Sequence, residues 1–258
     1  MNALSRSVQF LLYYLRAGNR HDLHSPFMYQ LNEFVFRHDP KVSDHHAIER
    51  IRTGLLKRND LIPSEDYGAG SRSGSFSARK LSDIVRNSSK SPRYARLLYR
   101  LTQYLKPSMM LELGTAAGIS ALYQCKGFPE GKLITLEGNR ALASIAKEVL
   151  KGSHAEVVIG NFDQTLQEVI RLYQPFEYVF LDGNHRKEPV LKYFNQLFPA
   201  LANESVVVID DINWSNEMQS AWRELKKDPR VQVSVDLYQL GLLFICPGLS
   251  KEDFTIRY

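Results

Sequence analysis

Residues 109–118 read MMLELGTAAG: a short apolar run from Met109 to Leu113, then a turn that places Gly114 and Gly118 four residues apart. The apolar residues are consecutive rather than alternating. That pattern describes a strand buried on both faces, as in a parallel sheet covered by helices on each side. Gly114 permits a tight backbone turn at the strand's end, and Gly118 lets the next helix approach closely. In an open α/β sheet, ligands bind beyond the carboxyl ends of the strands, so this turn is the first candidate for a site.

The same grammar repeats downstream. Strand-like runs at 132–137 (KLITLE), 155–160 (AEVVIG), 176–181 (FEYVFL) and 205–209 (SVVVI) alternate with helix-length amphipathic segments. Those helices are expected from about Ala117 and over Ala141–Lys151, Phe162–Tyr173, Pro189–Ala200 and Asn216–Lys227. Two further strands, Val231–Leu237 and Leu242–Cys246, are separated only by Tyr238–Gly241. A parallel crossover needs about ten or more residues, so this last pair must be antiparallel. The expectation is an α/β fold with a doubly wound, seven-stranded, mostly parallel sheet and a C-terminal antiparallel hairpin.

Upstream of the break near residue 106 the pattern is helical. Val8–Ala17, Pro26–Phe36, His45–Lys57 and Tyr94–Lys106 have apolar residues at helical spacing, and Pro107 ends the last of them. Between them lies Ile62–Ser77, rich in Gly and Ser, which reads as a loop. Its centre, Gly68–Gly74 with Asp66, Tyr67 and Arg72, is the candidate for a lid that orders on a ligand. The division expected is a helical N-terminal extension or lid over 1–91 and a Rossmann-like domain over 92–258.

Composition narrows the classes. The chain has 258 residues, 44% hydrophobic and 24% charged, which excludes disordered and collagen-like readings. Val8–Leu15 is too short to span a bilayer, and no membrane partner is expected. Two cysteines, Cys125 and Cys246, make no disulfide framework and no zinc knuckle, so a cytoplasmic setting is the default. Residues 1–100 carry an excess of eight positive charges and the remainder an excess of three negative ones, with five of the seven histidines in the first 46 residues. This asymmetry keeps an anionic partner such as RNA open beside a solvated helix surface.

Acidic residues mark the ends of the other strands. Glu137 closes the second strand, where a carboxylate can accept hydrogen bonds from the hydroxyls of a ribose. The fourth strand ends in Asp182-Gly183-Asn184-His185 and the fifth in Asp210-Asp211. Converging carboxylates repel unless a cation or a proton resolves them, and oxygen ligands suit Mg²⁺ or a similar divalent ion.

In order, these motifs resemble those of class I S-adenosylmethionine-dependent methyltransferases. The likeness is to the metal-dependent catechol and caffeoyl-CoA type O-methyltransferases, over roughly residues 92–246. LELGTAAG (111–118) resembles the cofactor-binding glycine motif and LEGN (136–139) the ribose-binding acidic turn. IGNF (159–162) resembles the segment beside the adenine, and FLDGNH (180–185) and IDDINW (209–214) the two metal-and-substrate motifs. The resemblance implies S-adenosyl-L-methionine held by Glu112, Gly114, Thr115, Gly118, Glu137, Gly138, Asn161, Phe162 and Asp182. It implies a divalent cation on Asp182, Asp210 and Asp211, catalysis by Asp182 and His185, and Trp214 as a wall of the acceptor pocket. Two positions depart from the family. Asp211 stands where an Asn is usual, and His185 where a Lys is usual. Histidine's ordinary pKa makes it a competent base at neutral pH.

The function expected is methyl transfer to a small hydroxylated acceptor, by a chain that forms a homodimer or acts alone. The rivals are a tRNA or rRNA methyltransferase using the basic N-terminal region, and a non-catalytic cofactor-binding module.

Overall fold

The computed structural model describes residues 3–18, 25–37, 43–63 and 78–258. The lid candidate, Asp66 to Gly74, lies outside the described residues. Helices α1 (Ala3–Arg16) and α2 (Pro26–Leu31, continued by a π-helical turn over Asn32–Arg37) open the chain. Helix α3 (Ser43–Leu56), strands β1 (Leu61–Pro63) and β2 (Ala78–Lys80), and helices α4 (Leu81–Ser88) and α5 (Pro92–Leu105) follow. From there strands and helices alternate: β3 (Met109–Leu113), α6 (Ile119–Gly127), β4 (Lys132–Glu137), α7 (Arg140–Val149), β5 (Ala155–Ile159), α8 (Phe162–Tyr173) and β6 (Phe176–Leu181). Then come α9 (Lys187–Leu197), β7 (Leu201–Ile209), α10 (Asn216–Lys227), β8 (Val233–Asp236), β9 (Gly241–Ile245) and β10 (Glu252–Thr255).

The main sheet has the order β10-β8-β9-β7-β6-β3-β4-β5. It therefore has eight strands, not the seven expected. The extra strand, β10, pairs parallel with β8 at the sheet's edge, and Glu252-Asp253-Phe254-Thr255 carries no apolar run to announce it. The terminal hairpin is antiparallel as expected, with Val233 opposite Phe244 and Asp236 opposite Gly241. Strands β3, β4, β7 and β9 are each buried along several consecutive residues, so both faces of the sheet are covered.

The chain divides into two compact units, residues 39–173 and residues 1–38 with 174–258. In the first unit, β3, β4 and β5 are parallel, with Leu113 opposite Leu136 and Glu137 opposite Ile159. Helix α5 packs closely on α6. A Cβ at Gly127 would lie 2.1 Å from Thr102 Oγ1 and 2.2 Å from the Tyr99 carbonyl oxygen. Thr102 Oγ1 itself bonds to the Gln124 carbonyl at 2.9 Å, so the two helices are joined through a buried polar contact.

In the second unit, β6 and β7 are parallel, with Leu181 opposite Ile209. Helix α1 is anchored by Tyr13, whose hydroxyl donates to the Ile256 carbonyl. Its side chains Leu11, Leu12 and Leu15 are exposed. No helix among the described residues is long and apolar enough to cross a membrane.

The close approach of α5 and α6 makes a direct test. Gly127→Ala is expected to cost about 1–3 kcal/mol, the usual penalty for overpacking, read from the denaturant midpoint. An unchanged midpoint would show that the helices separate freely there.

Candidate active site

In the unit of residues 39–173, the candidate residues gather at the turn after β3. Its backbone passes through left-handed values at Gly114 (φ 105°), Ala116 (φ 46°) and Gly118 (φ 83°). Gly118 is doubly constrained, because a Cβ there would also sit 3.2 Å from the Ala146 Cα of α7. Ala116 has no such excuse as a residue type, so something must hold it. That something is Glu137. Its Oε2 accepts the Ala116 N–H at 2.8 Å, and its Oε1 accepts the Asn139 N–H at 2.8 Å. One carboxylate thus fastens the turn after β3 to the turn after β4. Burial raises the Glu137 pKa, and the N–H groups of Asn139, Ala116 and Gly138 oppose that rise.

Beneath this turn lies a second carboxyl. Glu112 is 0% exposed. Its Oε1 accepts from Gln124 Nε2 at 2.7 Å and its Oε2 from Thr135 Oγ1 at 2.6 Å. Thr135 also lies 2.6 Å, oxygen to oxygen, from the hydroxyl of Thr115 in the turn. Glu112 therefore reaches the turn only through Thr135. Alternation along β3 turns this side chain toward α6. Desolvation pushes its pKa up to about 7, against hydrogen bonds from Thr135, Ser120 and Gln124. Thr135 and Gln124 were not singled out from sequence. The available signal was Thr135 itself, a polar residue inside an apolar strand.

Gly138 follows Glu137 directly and is half-buried, as are Asn161 and Phe162 after β5. Asn161 uses its side-chain oxygen to accept the Asp163 N–H at 2.9 Å, fixing the entry to α8.

In the other unit, the candidate residues gather at the strand ends of β6 and β7. Because Leu181 and Ile209 are in register, Asp182 and Asp210 emerge side by side, and the Asp210 N–H donates to the Leu181 carbonyl at 3.0 Å. Asn184 adopts φ 55°, which folds the loop back on itself. His185 Nε2 then comes 3.8 Å from Asp182 Oδ1. Ligand atoms of Asp182, His185 and Asp210 all lie within 4.8 Å of one another. Asp210 is fully buried, whereas Asp182 and His185 are partly open. Of the three expected metal ligands, the structure gathers Asp182 and Asp210, with His185 as the third member. Asp211 stands outside this group. It takes φ 53° and starts a tight turn in which its carbonyl accepts the Trp214 N–H at 2.9 Å. Trp214 is 51% exposed, so it is a surface residue and not a core residue.

Residues 111–212 match the family model described as a methyltransferase domain. The matched span begins in β3 and ends just beyond β7, so it contains both groups of candidate residues. The chain resembles O-methyltransferases. A catechol O-methyltransferase from Niastella koreensis is 26% identical over 160 residues, which cover 60% of this chain and 70% of that protein. Among solved structures, an O-methyltransferase from Bacillus cereus in complex with SAH aligns over 84% of this chain and 95% of its own, at 18% identity and a TM-score of 0.57. A candidate caffeoyl-CoA O-methyltransferase from Staphylococcus aureus aligns over 64% of this chain and 88% of its own, at 17% identity and a TM-score of 0.56. At these identities the structural likeness speaks for the fold.

The buried Glu112 yields a stability prediction. Between the ordinary carboxylate pKa and about 7, the unfolded chain has lost this proton and the folded chain keeps it. Its contribution to stability is therefore present at low pH and is lost as pH rises through about 7. Above that, ionisation destabilises the fold by an amount on the order of 3 kcal/mol. Glu112→Gln is expected to be more stable than the parent chain at pH 8 and to lose that advantage near pH 4.5, in denaturant titrations across pH. A variant less stable than the parent at pH 8 contradicts this account.

Proposed function

We propose that the chain is an S-adenosylmethionine-dependent O-methyltransferase that methylates a small hydroxylated acceptor with the help of a divalent cation. The observation that carries this reading is the Asp182–His185–Asp210 cluster at the ends of β6 and β7, within the matched domain. A cofactor turn alone would fit any methyltransferase. Two carboxylates and an imidazole with ligand atoms within 4.8 Å of one another fit chemistry on a hydroxyl.

In this reading the turn Gly114–Gly118 borders the methionine part of the cofactor, with Thr115 and Ala116 as its backbone. Glu137 and Gly138 meet the ribose, and Asn161 and Phe162 flank the adenine. Three backbone N–H groups already use Glu137, so roughly one of its about four lone pairs remains for a ribose hydroxyl. Asp182 and Asp210 are the residues that would hold the cation, a donor set suited to a hard ion completed by water. Such an ion, when bound, lowers the pKa of an acceptor hydroxyl and offsets the charge of the resulting oxyanion. His185 takes the acceptor's proton, and Asp182 at 3.8 Å orients the imidazole. Trp214 offers an exposed aromatic face against which a planar acceptor would stack. The enzyme's remaining task is to line up acceptor oxygen, methyl and sulfur.

The test combines calorimetry with S-adenosylhomocysteine and a methyl-transfer assay on a catechol, with and without chelator. The expected result is cofactor binding that survives chelation and turnover that does not, with Mg²⁺ or Mn²⁺ restoring it. Full turnover in chelator would leave the acidic cluster without its cation. His185→Ala is expected to lower kcat by about 10²–10⁴, the usual contribution of a general base, with cofactor affinity intact. Glu137→Ala is expected to weaken cofactor binding by about 1.5–3 kcal/mol, as for a charged hydrogen bond.

A further inference from the structure

The cofactor that the preceding reading assigns to the turn changes charge when it reacts. S-adenosylmethionine carries a sulfonium cation, and its demethylated product is a neutral thioether. The carboxyl under the turn is well placed to register that difference. Thr135 lies opposite Glu112 in the β3–β4 register. Its hydroxyl is 2.6 Å from Glu112 Oε2 and 2.6 Å from Thr115 Oγ1. All three residues are at most 1% exposed.

A hydroxyl has one proton, and this fixes the order of the chain. When Glu112 is ionised it only accepts, so Thr135 must give its proton to Glu112. Thr115 must then give its own proton to Thr135. Both dipoles point toward the carboxylate, and Thr115 turns an oxygen lone pair to the rest of the turn. Protonating Glu112 removes the charge and frees the order to reverse. Buried dipoles so aligned strengthen one another in low dielectric.

The groups that face Glu112 do not cancel this charge. From α6 come the neutral Ser120 and Gln124, and Cys125, whose thiol burial pushes up to about 12. From β4 come Thr135 and the carboxylate of Glu137, a like charge.

We infer that Glu112 is a positioning residue through which the turn prefers the cationic, methyl-bearing cofactor over its demethylated product, the preference reaching the turn along the Thr135–Thr115 chain. The inference rests on the reading that this turn takes S-adenosylmethionine. Its consequence is a pH signature that separates the two ligands. The free protein holds Glu112 protonated below about pH 7. A nearby cation favours the ionised carboxyl, so S-adenosylmethionine must release that proton to bind. S-adenosylhomocysteine lacks the sulfonium charge and makes no such demand.

Calorimetry on the full chain with each ligand, between about pH 5.5 and 8, tests this. S-adenosylmethionine is expected to bind about tenfold more tightly at the upper end, and S-adenosylhomocysteine to change by less than about threefold. Glu112→Gln keeps an oxygen to accept the Thr135 proton and removes the titration. It is expected to bind both ligands with no dependence on pH. Thr135→Val, with folding checked by thermal unfolding, is expected to lose the preference between ligands while Glu112 is still present. Parallel pH slopes for the two ligands overturn the inference, as does a slope that survives in Glu112→Gln or a preference that survives in Thr135→Val. If neither ligand binds at any pH, the assignment of the turn itself has failed, and the inference falls with it.

Discussion

A carboxylate removed from water must be surrounded by donors, or it will take up a proton. The turn after β3 is built on that constraint. Glu137 accepts N–H groups from two separate turns, and Glu112 beneath accepts from Gln124 and Thr135. Each acid organises backbone that would otherwise have no reason to adopt its shape. Ala116 is held at a left-handed φ by the bond to Glu137, and Thr115 is tied downward through Thr135. The arrangement stores free energy, because burial works against ionisation of both acids. A site so built gives up some stability in exchange for a preformed, negatively polarised cradle.

The second cluster depends on a different constraint, the register of β6 with β7. Register fixes which residues of neighbouring strands leave the sheet together. With Leu181 opposite Ile209, the next residue of each strand is an aspartate. A slip by one residue would separate them. The loop carrying His185 returns to Asp182 because Asn184 accepts φ 55°, a value asparagine tolerates better than most residues.

Much of this was legible in the sequence, for physical reasons that differ by element. Helices α8 and α10 fall on Phe162–Tyr173 and Asn216–Lys227, as their amphipathic spacing implies. The buried strands announce themselves by consecutive apolar residues. Strand β10 does not, because an edge strand with Glu252 and Asp253 has no apolar signature. Helix α4 and the short β1–β2 pair were passed over. Leu81–Ser88 mixes polar and apolar residues over only eight positions, and β1 and β2 have three residues each. The site residues were legible as types at strand ends. Their grouping was not: His185 folds back beside Asp182, and Asp211 stands outside that group. The loops there pass through positive φ at Asn184 and Asp211, two non-glycine residues whose backbone values no spacing rule anticipates.

The two departures from the family pattern act together on charge. A lysine at position 185 would bring a permanent positive charge to the two aspartates, and an asparagine at 211 would bring none. This chain has His185 and Asp211 instead. A histidine is positive only when protonated, and an aspartate adds a negative charge beside Asp210. The strand ends are thus up to two charges more negative than the usual pattern makes them. In the proposed reading a bound cation relieves the repulsion near the buried Asp210. An imidazole nitrogen that ligates a metal has no lone pair left for a substrate's proton. A cation that took Asp182 and Asp210 alone would therefore leave the imidazole of His185 unligated, with a lone pair for the proton of an acceptor.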